Sequence, residues 1–90
     1  MSETVVRVAV VANAAGLHAR PSHAVVSAAR DFRAEIFLHC GGRSADARSI
    51  LSVMTLGAGQ GVEVEVHATG EDAEAAVERL VALITEAGPA

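Results

Sequence analysis

The alternation of apolar and polar positions divides the chain into seven short segments. Residues 4–11 (TVVRVAVV) are short and Val-rich, which predicts a strand with Val6, Val8 and Val10 on its core side. Asn13-Ala14-Ala15-Gly16 breaks that pattern as a loop. Residues 20–30 (RPSHAVVSAAR) then predict a helix. Pro21 is tolerated in its first turn, where the missing N–H has no helical partner. Val25, Ala28, Ala29 and Phe32 give this helix an inward face. Residues 34–40 (AEIFLHC) alternate, with Ala34, Ile36, Leu38 and Cys40 on one side and Glu35, Phe37 and His39 on the other. Gly41-Gly42 is a turn signal, and residues 43–46 return as a short third strand. Residues 49–56 (SILSVMTL) predict a short helix opened by Ser49 or a neighbour and stopped by Gly57 and Gly59. Residues 62–67 (VEVEVH) alternate strictly, Val inward and Glu or His outward. Thr69 is placed as the N-cap of a last helix with acids in its first turn. That helix carries the clearest apolar stripe: Ala73, Ala76, Val77, Leu80, Val81 and Ile84. Gly88-Pro89-Ala90 is read as a frayed tail within residues 87–90.

The predicted order is β-α-β-β-α-β-α over 90 residues. This length suits one domain, spanning 1–90, and a single sheet with helices on one face is its economical packing. Composition narrows the picture. Hydrophobic residues make up 51% of the chain, yet it holds two Phe, no Trp and no Tyr. The core must therefore come from Val, Leu, Ile and Ala, with no support for a deep aromatic-lined ligand pocket. The net charge is −4, and all seven basic residues are arginines, scattered along the chain. Without a basic cluster or stacking aromatics, a nucleic-acid surface is not expected. A single cysteine cannot form an internal disulfide, and neither a secretory leader nor a membrane-length apolar run is read. A cytoplasmic protein without membrane insertion is the expectation, with a monomer as the default state.

The informative stretch is Gly16-Leu17-His18-Ala19-Arg20-Pro21. It places a histidine where a loop meets a helix N-terminus. The first N–H groups of a helix lack partners, and the dipole concentrates positive charge there. Such a position binds a phosphate-sized anion, with Ala19 and Pro21 shaping the first turn. The same field disfavours the imidazolium, so His18 is expected to have a lowered pKa and act as a neutral nucleophile. Arg20 is close enough to add charge-assisted hydrogen bonds to phosphoryl oxygens. Gly16 permits the backbone turn that exposes the histidine. Neither a metal nor another cofactor is required, and the chain has no P-loop. The donor is thus expected to be another phosphorylated protein. The plain structural alternative is that His18 is an unremarkable polar residue beside a helix start.

The string GLHARP closely resembles the active-site motif of the histidine-containing phosphocarrier (HPr) family of the bacterial phosphoenolpyruvate-dependent sugar phosphotransferase system. A second match lies downstream. Residues 47–54 (ARSILSVM) resemble the family's regulatory-serine segment, and Leu56-Gly57-Ala58 follows in register. The resemblance covers residues 4–86. It implies an α+β open-faced sandwich, a four-stranded antiparallel sheet with three helices on one face. It also implies phosphorylation of His18 at Nδ1 by enzyme I and donation to a IIA domain of a sugar permease or a regulatory relative. Arg20 would steady the transferring group, and Ser49 would be the site of an HPr kinase/phosphorylase. Some positions depart from the usual pattern. Arg48 stands for a common Lys, Ser52 for a frequent Gly, Ala15 lacks the hydroxyl that some members have there, and Ser22-His23 follows the Pro where small residues are common.

Leu17, Leu51 and Met54 are candidates for an exposed apolar docking patch rimmed by Arg20 and Arg48. The alternative is that at least one of them belongs to the core. His23 is read as a surface residue, and His39 and His67 as solvent-facing or on the uncovered sheet face. Cys40 is read as a buried thiol, poorly placed to clamp a metal with His39. The protein is thus read as a phosphoryl carrier, not a self-contained enzyme. The alternatives are a carrier on a nitrogen- or carbon-control branch, or an interaction domain with a vestigial histidine.

Overall fold

A computed structural model describes residues 3–17 and 19–85. His18 and the tail at 86–90 lie outside the described residues. The elements run β1 (Thr4–Val10), α1 (Ala19–Ala29), β2 (Glu35–Cys40), β3 (Arg43–Asp46), α2 (Ile50–Thr55), β4 (Glu63–Thr69) and α3 (Ala73–Thr85). The strands form one sheet in the order β1-β4-β2-β3, every neighbouring pair antiparallel. The three helices cover one face, α3 over β1 and β4, with α1 packed against both α3 and α2. This is the open-faced α+β sandwich expected from the family resemblance.

Period-two patterning places the inward faces of the central strands. Ile36 and Leu38 of β2 and Val64, Val66 and Ala68 of β4 are essentially inaccessible to solvent. They meet Val25, Val26 and Ala29 of α1, Val53 of α2, and Val77 and Leu80 of α3 in one aliphatic core. Of the stripe on α3, Ala73, Ala76, Val77, Leu80 and Ile84 are buried, and Val81 is half-buried against the core. Phe32 lies beyond the end of α1 and is half-buried against the core.

β1 differs from its predicted orientation. Val6, Val8 and Val10 are 42%, 52% and 47% exposed, whereas Ala9 and Val11 are buried. The register explains this: Ala9 pairs with Val64 and Arg7 with Val66, so odd-numbered β1 residues share the helix-covered face. Arg7 made the odd positions look polar in sequence. In the fold β1 is an edge strand, and the guanidinium escapes the core to pair with Glu74 of α3 at 2.9 Å. Val62 precedes β4 and is also exposed.

Thr69 is not a helix cap. It is the last residue of β4, and its hydroxyl bonds that of Thr4 across the strand pair at 2.8 Å. The turn that follows is fastened elsewhere. Gly70 has φ +144°, and a Cβ there would stand 3.0 Å from the Ala34 Cα. Asp72 uses both carboxylate oxygens to accept the N–H groups of Arg33 and Ala34, each at 2.8 Å. These bonds, the Arg33 amide foremost, hold its carboxyl below the ordinary value of 3.8. Its stabilising contribution is therefore complete above that value and is lost as pH falls through the lower folded value. Asp72→Asn is expected to lower the thermal midpoint at pH 7, the deficit shrinking toward zero as melting is repeated at successively lower pH below 3.8. A deficit independent of pH would remove charge from the explanation.

Candidate functional site

The loop after β1 is built by its own side chains. Asn13 accepts the Ala15 N–H on Oδ1 and the Gly16 N–H on its carbonyl, both at 2.9 Å. This is the self-bonded turn that Asn favours. Gly16 follows at φ +74°, and a Cβ there would stand 2.5 Å from the Ala58 carbonyl oxygen and 2.9 Å from the Gly59 Cα. Only glycine permits so close an approach at this backbone angle. Leu17 is then held at both ends: its N–H donates to the Ala58 carbonyl at 2.9 Å, and its carbonyl accepts the Ser22 hydroxyl at 3.0 Å. His18 follows in sequence. The lowered pKa expected for it concerns a residue outside the described set.

Ser22 went unnoticed in the sequence beyond being a small residue after Pro21. It is fully buried, one turn into α1, and it satisfies the carbonyl of the residue before His18. A small hydroxyl-bearing residue after a helix-opening Pro was its only local signal. The first turn of α1 comprises Ala19, Arg20, Pro21 and Ser22 and contains no acidic residue. Ala19 and Arg20 are exposed, and Pro21 is half-buried. Among the described residues no ion pair or hydrogen bond engages the Arg20 guanidinium. His23 is exposed one residue beyond Ser22.

Ser49 is the N-cap of α2, its hydroxyl oxygen accepting the Ser52 N–H at 3.2 Å. Within α2 the single buried residue is Val53. Leu51 is 74% exposed and Met54 41%, one turn apart on the outer side. Leu17 does not share that exposure: at 5% it belongs to the core, because its two backbone bonds seat it under the loop. It nevertheless lines, with Ala15, Met54, Gly57, Ala58 and Gly59, a shallow hollow of about 370 Å³. Arg48 also departs from expectation. Its guanidinium turns inward to donate to the carbonyls of Phe32 and Ala34, with its backbone carbonyl accepting Arg30. It therefore ties α2 to the loop before β2, and is half-buried.

Cys40 is half-buried and not fully enclosed. His39 and His67 lie on the uncovered sheet face, their ring centroids 4.1 Å apart. Among the described residues no group of three or more metal-ligating side chains converges, and no helix is long and apolar enough to cross a membrane. Two changes test how the loop before His18 is built. Gly16→Ala is expected to destabilise the fold by about 1–3 kcal/mol through positive φ and the backbone clash. Ser22→Ala is expected to cost about 1–2 kcal/mol by leaving the Leu17 carbonyl buried without a donor. Urea unfolding measures both, and a Gly16→Ala protein as stable as the parent would deny the close approach.

Comparison with known proteins agrees with this architecture. Residues 5–86 match the family model described as the PTS HPr component phosphorylation site. The phosphocarrier protein HPr of Haemophilus influenzae is 46% identical over 77% of this chain and 81% of its own length. The HPr-like protein Crh of Bacillus subtilis is 39% identical over 79% of this chain and 84% of its own. A crystal structure of Crh, described as a swapped-domain dimer, covers 84% of this chain and 87% of that chain with a TM-score of 0.75 and 37% identity. The crystal structure of HPr from Bacillus anthracis matches at a TM-score of 0.86 with 36% identity, covering 90% of this chain and 96% of that one. This chain therefore belongs to the HPr family, the phosphocarriers of the phosphotransferase system.

Proposed function

We propose that His18 accepts a phosphoryl group at Nδ1 from enzyme I, charged by phosphoenolpyruvate, and passes it to a IIA domain of a sugar permease. The observation that carries this reading is the clamp on Leu17. Both of its backbone groups are bound, so the chain reaches His18 from a fixed point and enters α1 beside an exposed Arg20. In the transfer, the Nδ1 lone pair forms a bond to phosphorus as the donor's bond to phosphorus breaks. Donation to the acceptor reverses these roles. Arg20 and the N–H groups at the start of α1 offset the charge on the phosphoryl oxygens. Gly16, Ala19 and Pro21 give this cradle its shape. The exposed Leu51 and Met54, with the hollow beside them, suit brief docking. Arg48 contributes by holding α2 in place. The carrier works as a cytoplasmic monomer.

Ser49 supports a regulatory layer on the same surface. Its oxygen already accepts an α2 amide, so a phosphate placed there by an HPr kinase/phosphorylase would be stabilised by the helix end. The added charge would repel the acidic partner surface that Arg20 attracts. A regulatory branch, in place of sugar uptake, is the second reading. It is favoured by the similarity to Crh, whose structure is described in terms of catabolite repression.

Incubation with phosphoenolpyruvate and enzyme I is expected to place acid-labile phosphate on the parent and none on His18→Ala. Label persisting on that variant would sink the assignment. Arg20→Ala is expected to slow transfer about 100-fold, the order of magnitude for losing one oxyanion donor. Ser49→Asp is expected to slow phosphorylation by enzyme I about tenfold or more, by like-charge repulsion, with thermal stability little changed. An unaltered rate would sever Ser49 from control of the site.

A further inference from the structure

Among the described residues nothing covers the sheet face opposite the helices, and its make-up is uneven. On β1 it carries Val6, Val8 and Val10, each more than two-fifths exposed, and on β2 it carries Phe37, 41% exposed. Val6 and Phe37 flank His67 in one cross-strand row, and Val8 and His39 flank Glu65 in the next. The His39 and His67 rings lie 4.1 Å apart, and Glu65 bonds the His67 Nε2 at 2.9 Å. An open antiparallel face is ordinarily polar, and contiguous exposed apolar side chains mark contact sites.

Charge identifies the occupant. Glu35, Asp46, Glu63 and Glu65 all occupy open-face strand positions. None of the seven arginines does: the two in strands, Arg7 and Arg43, lie on the opposite face, bonded to Glu74 and to the Thr55 carbonyl. Two such faces stacked together would set carboxylates against carboxylates, and an anionic lipid surface or nucleic acid would be repelled likewise. Spacing supplies the shape. Alternate residues of β1 stand about 7 Å apart along the strand, and residues four apart on a helix stand about 6 Å apart. A helix with apolar side chains at i, i+4 and i+8 can therefore lie along β1. Its flanking Lys or Arg side chains would then reach Glu63 and Glu65 on the neighbouring strand.

We propose that this open face, seated on Val6, Val8, Val10 and Phe37 and ringed by Glu35, Asp46, Glu63 and Glu65, docks a basic amphipathic helix of a partner protein. The surface is opposite the one that carries Arg20, Leu51 and Met54, so docking leaves the phosphoryl-transfer surface free.

The test is an NMR titration of the isotope-labelled full chain with a synthetic Leu/Lys amphipathic helix of about four turns, and with the same peptide bearing Glu for Lys. Saturable shifts are expected at Val6, Val8, Val10, Phe37, Glu63 and Glu65 with the Lys peptide only, weakening as salt rises. Val8→Thr with Phe37→Thr, which keeps strand-forming side chains, is expected to weaken binding about tenfold. Glu63→Gln with Glu65→Gln is expected to weaken it and flatten the salt dependence. Far-UV circular dichroism and phosphate acceptance from enzyme I are expected to be unchanged in both double variants. Shifts centred on Leu51 and Met54, equal binding of the Glu peptide, no saturable binding, or self-association abolished by Val8→Thr would each overturn the proposal.

Discussion

The β1–β4 ladder does not stop at the strand ends. The Val11 N–H donates to the Val62 carbonyl at 3.0 Å, and the Gly61 N–H to the Val11 carbonyl at 2.8 Å. The two loops that leave this pair must therefore run side by side. That proximity brings Gly16 onto the Ala58–Gly59 backbone, where no side chain fits, and gives the Leu17 N–H its acceptor. β4 is an inner strand, held on both sides by β1 and β2. Whatever geometry the segment at residue 18 needs is thus referred to the centre of the sheet. A loop fixed in this way loses its conformational entropy on folding, before any partner arrives, so less remains to be lost at the moment of transfer.

Arginine use follows the same division between structure and availability. Arg7 reaches Glu74, Arg30 the Arg48 carbonyl, Arg43 the Thr55 carbonyl, and Arg48 the carbonyls of Phe32 and Ala34. A long stem and a fork of donors let arginine close such gaps between elements. In a chain without lysine, these bonds fasten elements that a small aliphatic core holds less firmly. Arg20 stands apart from them, in the first turn of α1. The cation proposed to meet a phosphoryl group is the one whose structural engagements are fewest among these residues.

The molecule thus has two unlike surfaces. One carries arginine, the start of α1 and the exposed apolar residues of α2. The other carries carboxylates and a valine edge. This arises because a helix-covered sheet leaves every second strand residue facing out, and those residues are free to follow demands other than packing. A 90-residue chain can in this way present two chemically distinct faces from a single core.

Local periodicity and spacing sufficed for the seven elements and their order, most of the α3 stripe, the inward residues of β2 and a start of α2 at or beside Ser49. Each of these rests on a repeat or a motif contained within one short segment. The GLHARP string and the Ser49 segment, far apart along the chain, made the family legible in the same way. The face of β1, the burial of Leu17, the inward turn of Arg48 and the strand role of Thr69 were not legible. Both alternating sets of β1 contain aliphatic residues, so only pairing with Val64 and Val66, more than fifty residues away, decides which set is covered. Leu17 and Arg48 are likewise placed by backbone groups remote in sequence: Ala58 for the first, Phe32 and Ala34 for the second. The sequence by itself determined which segments become strands and helices and where the histidine of the GLHARP string stands. The tertiary structure alone decided which side of β1 is buried and which groups fasten the loop. Register and backbone partners come from chain segments that meet only after folding.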